Sequence, residues 1–198
     1  MTSLLLNLTP GNDMLYVIAR SSHQGVRAGI LSSLGIMAGC SVHILAAVIG
    51  LSALLSQSAT AFQLIKYAGA AYLIYLGIRS FIKKKTSPVM PHRLPASSDN
   101  KIFWQGVVTN VLNPKVALFF LAFLPQFLTN TENVSLKILF LGMWFNAGGT
   151  AVNLLVAVLF GKIGAFLSHS PRFVLWQERV TGAILIGLGI KVALSSKK

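Results

Sequence analysis

The sequence predicts an all-α, polytopic membrane protein: six transmembrane helices as an inverted repeat of three plus three, with a broken first helix in each half. Three observations predict it. The chain of 198 residues is 54% hydrophobic and only 11% charged, where a soluble domain carries about 25% charged residues. Apolar runs long enough for the ~20 residues that cross a bilayer recur along it. The first run of each half is interrupted by proline and carries a charge: Leu8-Thr9-Pro10-Gly11-Asn12-Asp13-Met14 and Asn110-Val111-Leu112-Asn113-Pro114-Lys115-Val116. Discontinuous helices at matching positions of two halves point to a transporter's binding site.

The apolar segments fall near residues 3–19, 29–55, 61–82, 102–128, 138–160 and 174–195. Between the third and fourth lies a polar, proline-containing stretch, from Lys83-Lys84-Lys85 through Pro88, Pro91 and Pro95 to Asp99 and Lys101. Such composition reads as a linker. It divides the chain into a first three-helix repeat (1–82), a cytoplasmic linker (83–101) and a second three-helix repeat (102–198). Internal matches support the division. Leu73-Ile74 and Leu76-Gly77-Ile78-Arg79 align with Leu185-Ile186 and Leu188-Gly189-Ile190-Lys191. Gly39, Val42, Leu45, Ala47 and Val48 align with Gly149, Val152, Leu155, Ala157 and Val158, which sets His43 against Asn153. Pro10 and Pro114 give a third, similar offset. An odd number of spans per half makes the repeat inverted.

Orientation follows from lysine and arginine. With six spans, Arg20 and Arg27, the stretch Arg79 to Lys101, and Lys162, Arg172 and Arg179 share one side. That side is the richer in positive charge and is expected to be cytoplasmic, with both termini outside. The basic tail Lys191, Lys197 and Lys198 argues mildly against this, and a five-span variant would move one terminus.

Composition excludes several classes. The net charge of +13 is concentrated in loops rather than on a basic face interleaved with aromatics, so it speaks for membrane orientation and against nucleic acid. Cys40 is the single cysteine, which excludes an intrachain disulfide and paired-thiol chemistry. The N-terminal segment lacks a basic n-region and runs into Pro10-Gly11-Asn12-Asp13, unlike a cleavable signal peptide.

The acidic residues are Asp13, Asp99, Glu132 and Glu178. The last three fall in predicted loops; Asp13 alone lies within an apolar segment, and Lys115 is its basic counterpart in the second half. A charge near the bilayer centre costs on the order of 2.5–3.5 kcal/mol, so both are expected to face a protein or aqueous interior. Pro10 and Pro114 cannot donate backbone hydrogen bonds, and Gly11 adds backbone freedom. A broken helix exposes N–H groups that attract a carboxylate and C=O groups that attract a cation. Paired breaks would suit a zwitterion such as an α-amino acid. Alternatives stand beside each residue. Asp13 reads as a substrate or proton ligand, or as a helix cap; Lys115 as a carboxylate ligand, or as a side chain snorkelling to an interface. His43 is a hydrogen-bonded packing residue or a proton carrier. Asn110, Asn146, Asn153 and Gln126 either line a cavity or bond between helices. Gly35 and Gly39 fit close helix packing. Phe119, Phe120, Phe123 and Phe127 read as core or lipid contacts.

These residues also resemble a known family. Pro10-Gly11-Asn12-Asp13 is similar to the Pro-Gly-Pro-Asp motif of the lysine-exporter family (LysE/RhtB type). Gly25-Val26-Arg27-Ala28-Gly29 with Gly35 and Gly39 resembles its first loop and second helix. Lys66, Gly69-Ala70-Ala71-Tyr72-Leu73 and Tyr75-Leu76-Gly77 resemble its third helix. In the second half, Phe103, Gly106, Asn110, Asn113-Pro114-Lys115, Phe119-Phe120 and Ala122-Phe123-Leu124-Pro125-Gln126-Phe127 match. The resemblance implies export of amino acids or close derivatives, driven by the proton gradient, from a bacterial inner membrane. Asn12 departs from the motif, replacing its second proline, which loosens the first break.

The expectation is therefore a secondary exporter of a small amino acid, with no enzymatic activity and no cofactor. Its substrate site would comprise Asp13, Asn12, Pro10, Gly11, Asn113, Pro114, Lys115 and Asn110, with Asp13 and His43 as proton-coupling residues. Its partners would be the substrate, protons, the bilayer and, in a homo-oligomer, further copies of the chain. The alternative is an inorganic-ion (metal) exporter on a similar scaffold, for which His43, Cys40 and Asp13 are few and scattered ligands. A membrane-embedded enzyme would want clustered acids or histidines at an interface, which the sequence does not offer.

Overall fold

The computed structural model describes residues 6–9, 11–57, 59–82, 96–124, 133–167 and 171–194. Regular structure among them is entirely helical: α1 (Asn12–Gln57), α2 (Ala59–Ile82), α3 (Asp99–Val111), α4 (Pro114–Leu118), a π-helical turn (Phe119–Phe123), α5 (Val134–Leu167) and α6 (Pro171–Leu194). The long helices are apolar all round, with no distinct polar stripe, as suits helices that meet lipid on one side and protein on the other. Their outward faces carry large apolar side chains such as Ile49, Phe140, Trp144 and Leu155. Two helical stretches, Asn12–Gly50 and Val134–Lys162, are long and apolar enough to cross a membrane. Three hydroxyls of α1 are satisfied within the helix itself: Ser21 donates to the Val17 carbonyl, Ser32 to Ala28 and Ser33 to Gly29. No water is needed for them.

The expected loop over 20–28 does not form. Helical structure runs on both sides of Gly25, whose backbone (φ 83°, ψ 179°) lies in a region open essentially to glycine alone. The chain doubles back there. A Cβ placed on Gly29 would stand 2.7 Å from that of Ser21, and Val17 packs with Ile36. α1 is thus two antiparallel arms joined by one residue. Arg20, expected in a loop, is buried; its guanidinium donates to Gln105 Oε1 at 2.6 Å. Arg27 pairs with Asp99 at 2.7 Å, and Gln24 donates to the Ser97 carbonyl at 3.1 Å. Asp99 opens α3 rather than closing a linker, so the linker ends before it, and Glu178 lies within helix α6. Of the linker, residues 83–95 lie outside the described residues, as do Pro10, Glu132, Gln126 and Phe127.

Small residues set the packing. α1 lies against α5 and α3, and α2 against α6. The second arm of α1 meets α3 at Gly35 and Gly106: a Cβ on Gly35 would overlap the Phe103 carbonyl, and one on Gly106 would lie 2.7 Å from the Ser32 carbonyl oxygen. Backbone-on-backbone contact of this kind is how helices associate where lipid removes the hydrophobic drive. The contact of α2 with α6 is reciprocal. Gly77 faces Ile186 and the Gly182 carbonyl, while Gly189 faces Ile74 and the Ala70 carbonyl. The same positions of two aligned segments face one another in both directions, as across a twofold axis.

A central core of Leu6, Cys40, Ile44, Phe119, Phe120 and Phe145 joins the first segment, α1, the π turn and α5. Phe119 stacks on Phe145 with ring centroids 4.4 Å apart. Replacing Gly25 by valine should cost roughly 1–3 kcal/mol, the range for forcing a side chain into such backbone. Thermal unfolding of detergent-purified protein checks this; an unchanged Tm would mean that the reversal does not need glycine.

Candidate functional site

The two proline motifs break their helices in the same way. In the first, residues 6–8 are helical, Thr9 N–H donates back to the Leu6 carbonyl at 3.2 Å, and the helix restarts at Asn12 with Leu15 N–H on the Gly11 carbonyl at 2.9 Å. In the second, α3 ends at Val111 and Asn113 N–H donates back to the Asn110 carbonyl at 2.9 Å. Asn113 then caps α4, its side chain accepting from Lys115 N–H at 3.0 Å, with Pro114 in the first helical turn. This is the arrangement in which proline is best tolerated.

A helical proline leaves the carbonyl four residues earlier without its usual donor. Those carbonyls belong to Leu6 and Asn110; each accepts the backbone bond just described and a second one from a side chain of the other half of the chain. Lys115 Nζ donates to Leu6 O at 3.1 Å and Thr9 O at 2.7 Å. His43 Nε2 lies 3.0 Å from Asn110 O. A carbonyl only accepts, so this nitrogen carries the hydrogen. The imidazole is also stacked on Phe120, nearly parallel at 8°.

Beside these contacts stands the Asp13 carboxylate, in the first turn of α1 where the helix dipole favours negative charge. Asn110 Nδ2 donates to its Oδ2 at 2.8 Å. Its Oδ1, and the Oδ1 of Asn110, are buried without a hydrogen-bond partner among the described residues. Asp13 and Lys115 do not touch as an ion pair; the ammonium sits on the two carbonyls instead. Both groups open onto one cavity of about 50 Å³, several times the ~10–15 Å³ that one water needs. Asn7, Asn110, Asn113, Asn146 and Asn153 line its polar side, and Met14, Ile36, Cys40 and Phe145 its apolar side.

A family model described as LysE type translocator matches residues 4–196. The chain belongs to the LysE family. It is 31% identical to an uncharacterized membrane protein of Bacillus subtilis, YrhP, over 96% of this chain and 94% of that one. It is 30% identical to the homoserine/homoserine lactone efflux protein of Salmonella typhimurium, over 98% and 93% respectively. To the leucine efflux protein of Salmonella choleraesuis it is 29% identical, over 65% of this chain and 61% of that one. No solved structure matches it. It is a membrane protein of a translocator family and not an enzyme.

Of the residues singled out in this LysE-family sequence, Asp13, Gly11, Asn110, Asn113 and Lys115 meet at the cavity. Asn12 does not: it is exposed at the start of α1, facing away from the cavity. Pro114 is exposed as well and acts through the backbone. His43 is a neighbour of the site through Asn110 rather than a lining residue. Asn7, which sequence reasoning passed over, lines the cavity and donates to the Phe145 carbonyl at 3.0 Å. Its signal was an amide three residues before Pro10 in an apolar run. Replacing Lys115 by methionine keeps the apolar stem but loses two charge-assisted hydrogen bonds, and should destabilise by about 1.5–3 kcal/mol. His43→Phe, which keeps the stacking and loses one neutral bond, should cost less, about 0.5–1.5 kcal/mol. Thermal unfolding of both variants checks the order; equal losses would contradict it.

Proposed function

We propose that this chain exports a small amino acid or a close derivative across the bacterial inner membrane, by proton antiport and alternating access. The observation that carries the reading is the half-satisfied Asp13 carboxylate, buried between two matched helix breaks at a cavity. An isolated buried carboxylate oxygen is costly, and a ligand ammonium or a proton satisfies it. The names of the homoserine and leucine efflux relatives support an amino-acid cargo.

In this reading Asp13 Oδ1 binds the substrate ammonium or a proton in turn, so the two compete. The Lys115 ammonium has three N–H donors, and carbonyls occupy two. The third is the donor for the substrate carboxylate, with N–H groups of the helix restart after Gly11 beside it. Asn110 and Asn113 hold the charged pair in place. Pro10 and Pro114 contribute the breaks, and His43 is the second proton-coupling candidate through its bond to Asn110.

Alternating access would rock one three-helix repeat against the other around this site. The reciprocal contact of Gly77 and Gly189 with the opposite helices supports six spans in an inverted repeat. So do the matched backbone bonds at Leu6 and Asn110. The Gly25 reversal, Asp99 and Gly161 lie at one end, since Arg27 pairs with Asp99 and Val26 abuts Gly161. Arg20 and Arg27 give this end positive charge, which supports the reading that it is the cytoplasmic end, with both termini outside.

Cells loaded with dipeptides and expressing the chain should release the freed amino acids faster than cells without it. Asp13→Asn should abolish this gradient-driven release while the protein remains inserted. Full export by that variant would refute the role given to Asp13.

A further inference from the structure

We infer that Asn153 is a specificity-determining residue that selects substrates whose side chain bears a hydroxyl or amide over apolar ones of the same shape. The inference rests on the export reading above and extends it from the ammonium and carboxylate to the side chain.

Asn146, Thr150 and Asn153 follow at i, i+4 and i+7 on α5, so they share one helix face, and all three line the cavity. Asn146 is committed: its Nδ2 donates to the Met37 carbonyl at 3.1 Å. Asn153 is not. It is 7% exposed, it lines the cavity, and it makes no hydrogen bond with any of the described residues. An amide offers two donors and two acceptor lone pairs, and those of Asn153 open onto the cavity rather than lying shut in among the buried atoms that lack a partner. A packing role would be served by an apolar side chain at less cost. An amide held without partners at a cavity is a group waiting for a ligand atom.

Its height along the bundle gives it the right reach. The first segment and α5 run alongside in parallel, with Asn7 against Gly148 and Gly149 and Val17 in contact with Ala157. That register brings Asp13 level with Asn153. A substrate anchored by its ammonium at Asp13 therefore presents the rest of the molecule to Asn153 across the cavity. A hydroxyl or amide there pairs with Asn153, whereas a methyl in the same place leaves the amide unpaired. Sites built to bond a substrate hydroxyl reject the analogue lacking it far more strongly than apolar pockets reject an extra one.

The test uses the whole chain in dipeptide-loaded cells, with threonine against valine and homoserine against norvaline as shape-matched pairs. The native chain should export the hydroxyl member of at least one pair about 10- to 100-fold faster. Asn153→Leu should bring that ratio to about one or below while export of the apolar member persists. If Asn153→Leu does not insert, Asn153→Ala decides, and its ratio should fall at least several-fold. A native chain that exports both members of each pair equally, or prefers the apolar ones, overturns the inference. So does a variant that inserts and keeps the native ratio, because the amide is then merely hydrated. An inserted native chain that exports other amino acids but none of these four overturns the inference alone, and one that exports no amino acid at all refutes the export reading itself.

Discussion

The governing constraint is that backbone groups freed inside a lipid-facing bundle must find partners within the protein. Two helices are interrupted at the proline motifs, and beside each break a carbonyl, that of Leu6 or of Asn110, accepts one backbone bond and takes a second partner from a side chain. The fold answers with cross-connections. A lysine from the second half closes the first break, and a histidine from the first half closes the second. Neither half completes its own broken helix. The Lys115 ammonium is therefore a structural group first, fixed by the Leu6 and Thr9 carbonyls. The Asp13 carboxylate is left half-satisfied by the same geometry.

Holding these breaks together requires helices that approach closely, and the small residues supply that. Gly35 and Gly106 bring the second arm of α1 onto α3, which carries Asn110 to the Asp13 carboxylate. On the other side of the reversal, Arg20, Gln24 and Arg27 tie the turn to Gln105, Ser97 and Asp99. The ties to Gln105 and Asp99 join residues on opposite sides of the linker, and the tie to Ser97 reaches the end of the linker itself. They are polar, whereas the contact of α2 with α6 is glycine on aliphatic side chain.

Much of this was legible in the sequence, for physical reasons. Proline, glycine and asparagine beside a lone charge in an apolar run signal a helix break, and both breaks lie where those residues fall. The second is seen in full; at the first, Pro10 itself lies outside the described residues. That Asp13 and Lys115 face an interior followed from the cost of leaving charges in lipid, whereas Asn110 read equally as a cavity residue or an interhelical bond. The hairpin turn did not, because Arg20 reads as a loop residue until Gln105, 85 positions away, is brought beside it. Nor did the role of Lys115, since a lysine that holds carbonyls and one that holds a ligand have the same spelling. Asn12 shows the limit of motif reading: it stands inside the motif but points out of the site.

The sequence distances spanned by the site have a consequence for how the protein is made. Asp13 waits for Asn110, 97 residues later, and the Leu6 carbonyl for Lys115, 109 residues later. At about 5–20 residues per second, that is several seconds of synthesis. During them the first hairpin, whose arms contact each other locally, is complete and already apolar on its outside. Its Asp13 carboxylate and its Leu6 and Thr9 carbonyls nonetheless lack the partners supplied by the second half. Until then the hairpin needs shelter from lipid, whether from the insertion machinery or from water retained around the break. The polar contacts around the cavity therefore close only once segments from both halves of the chain are present.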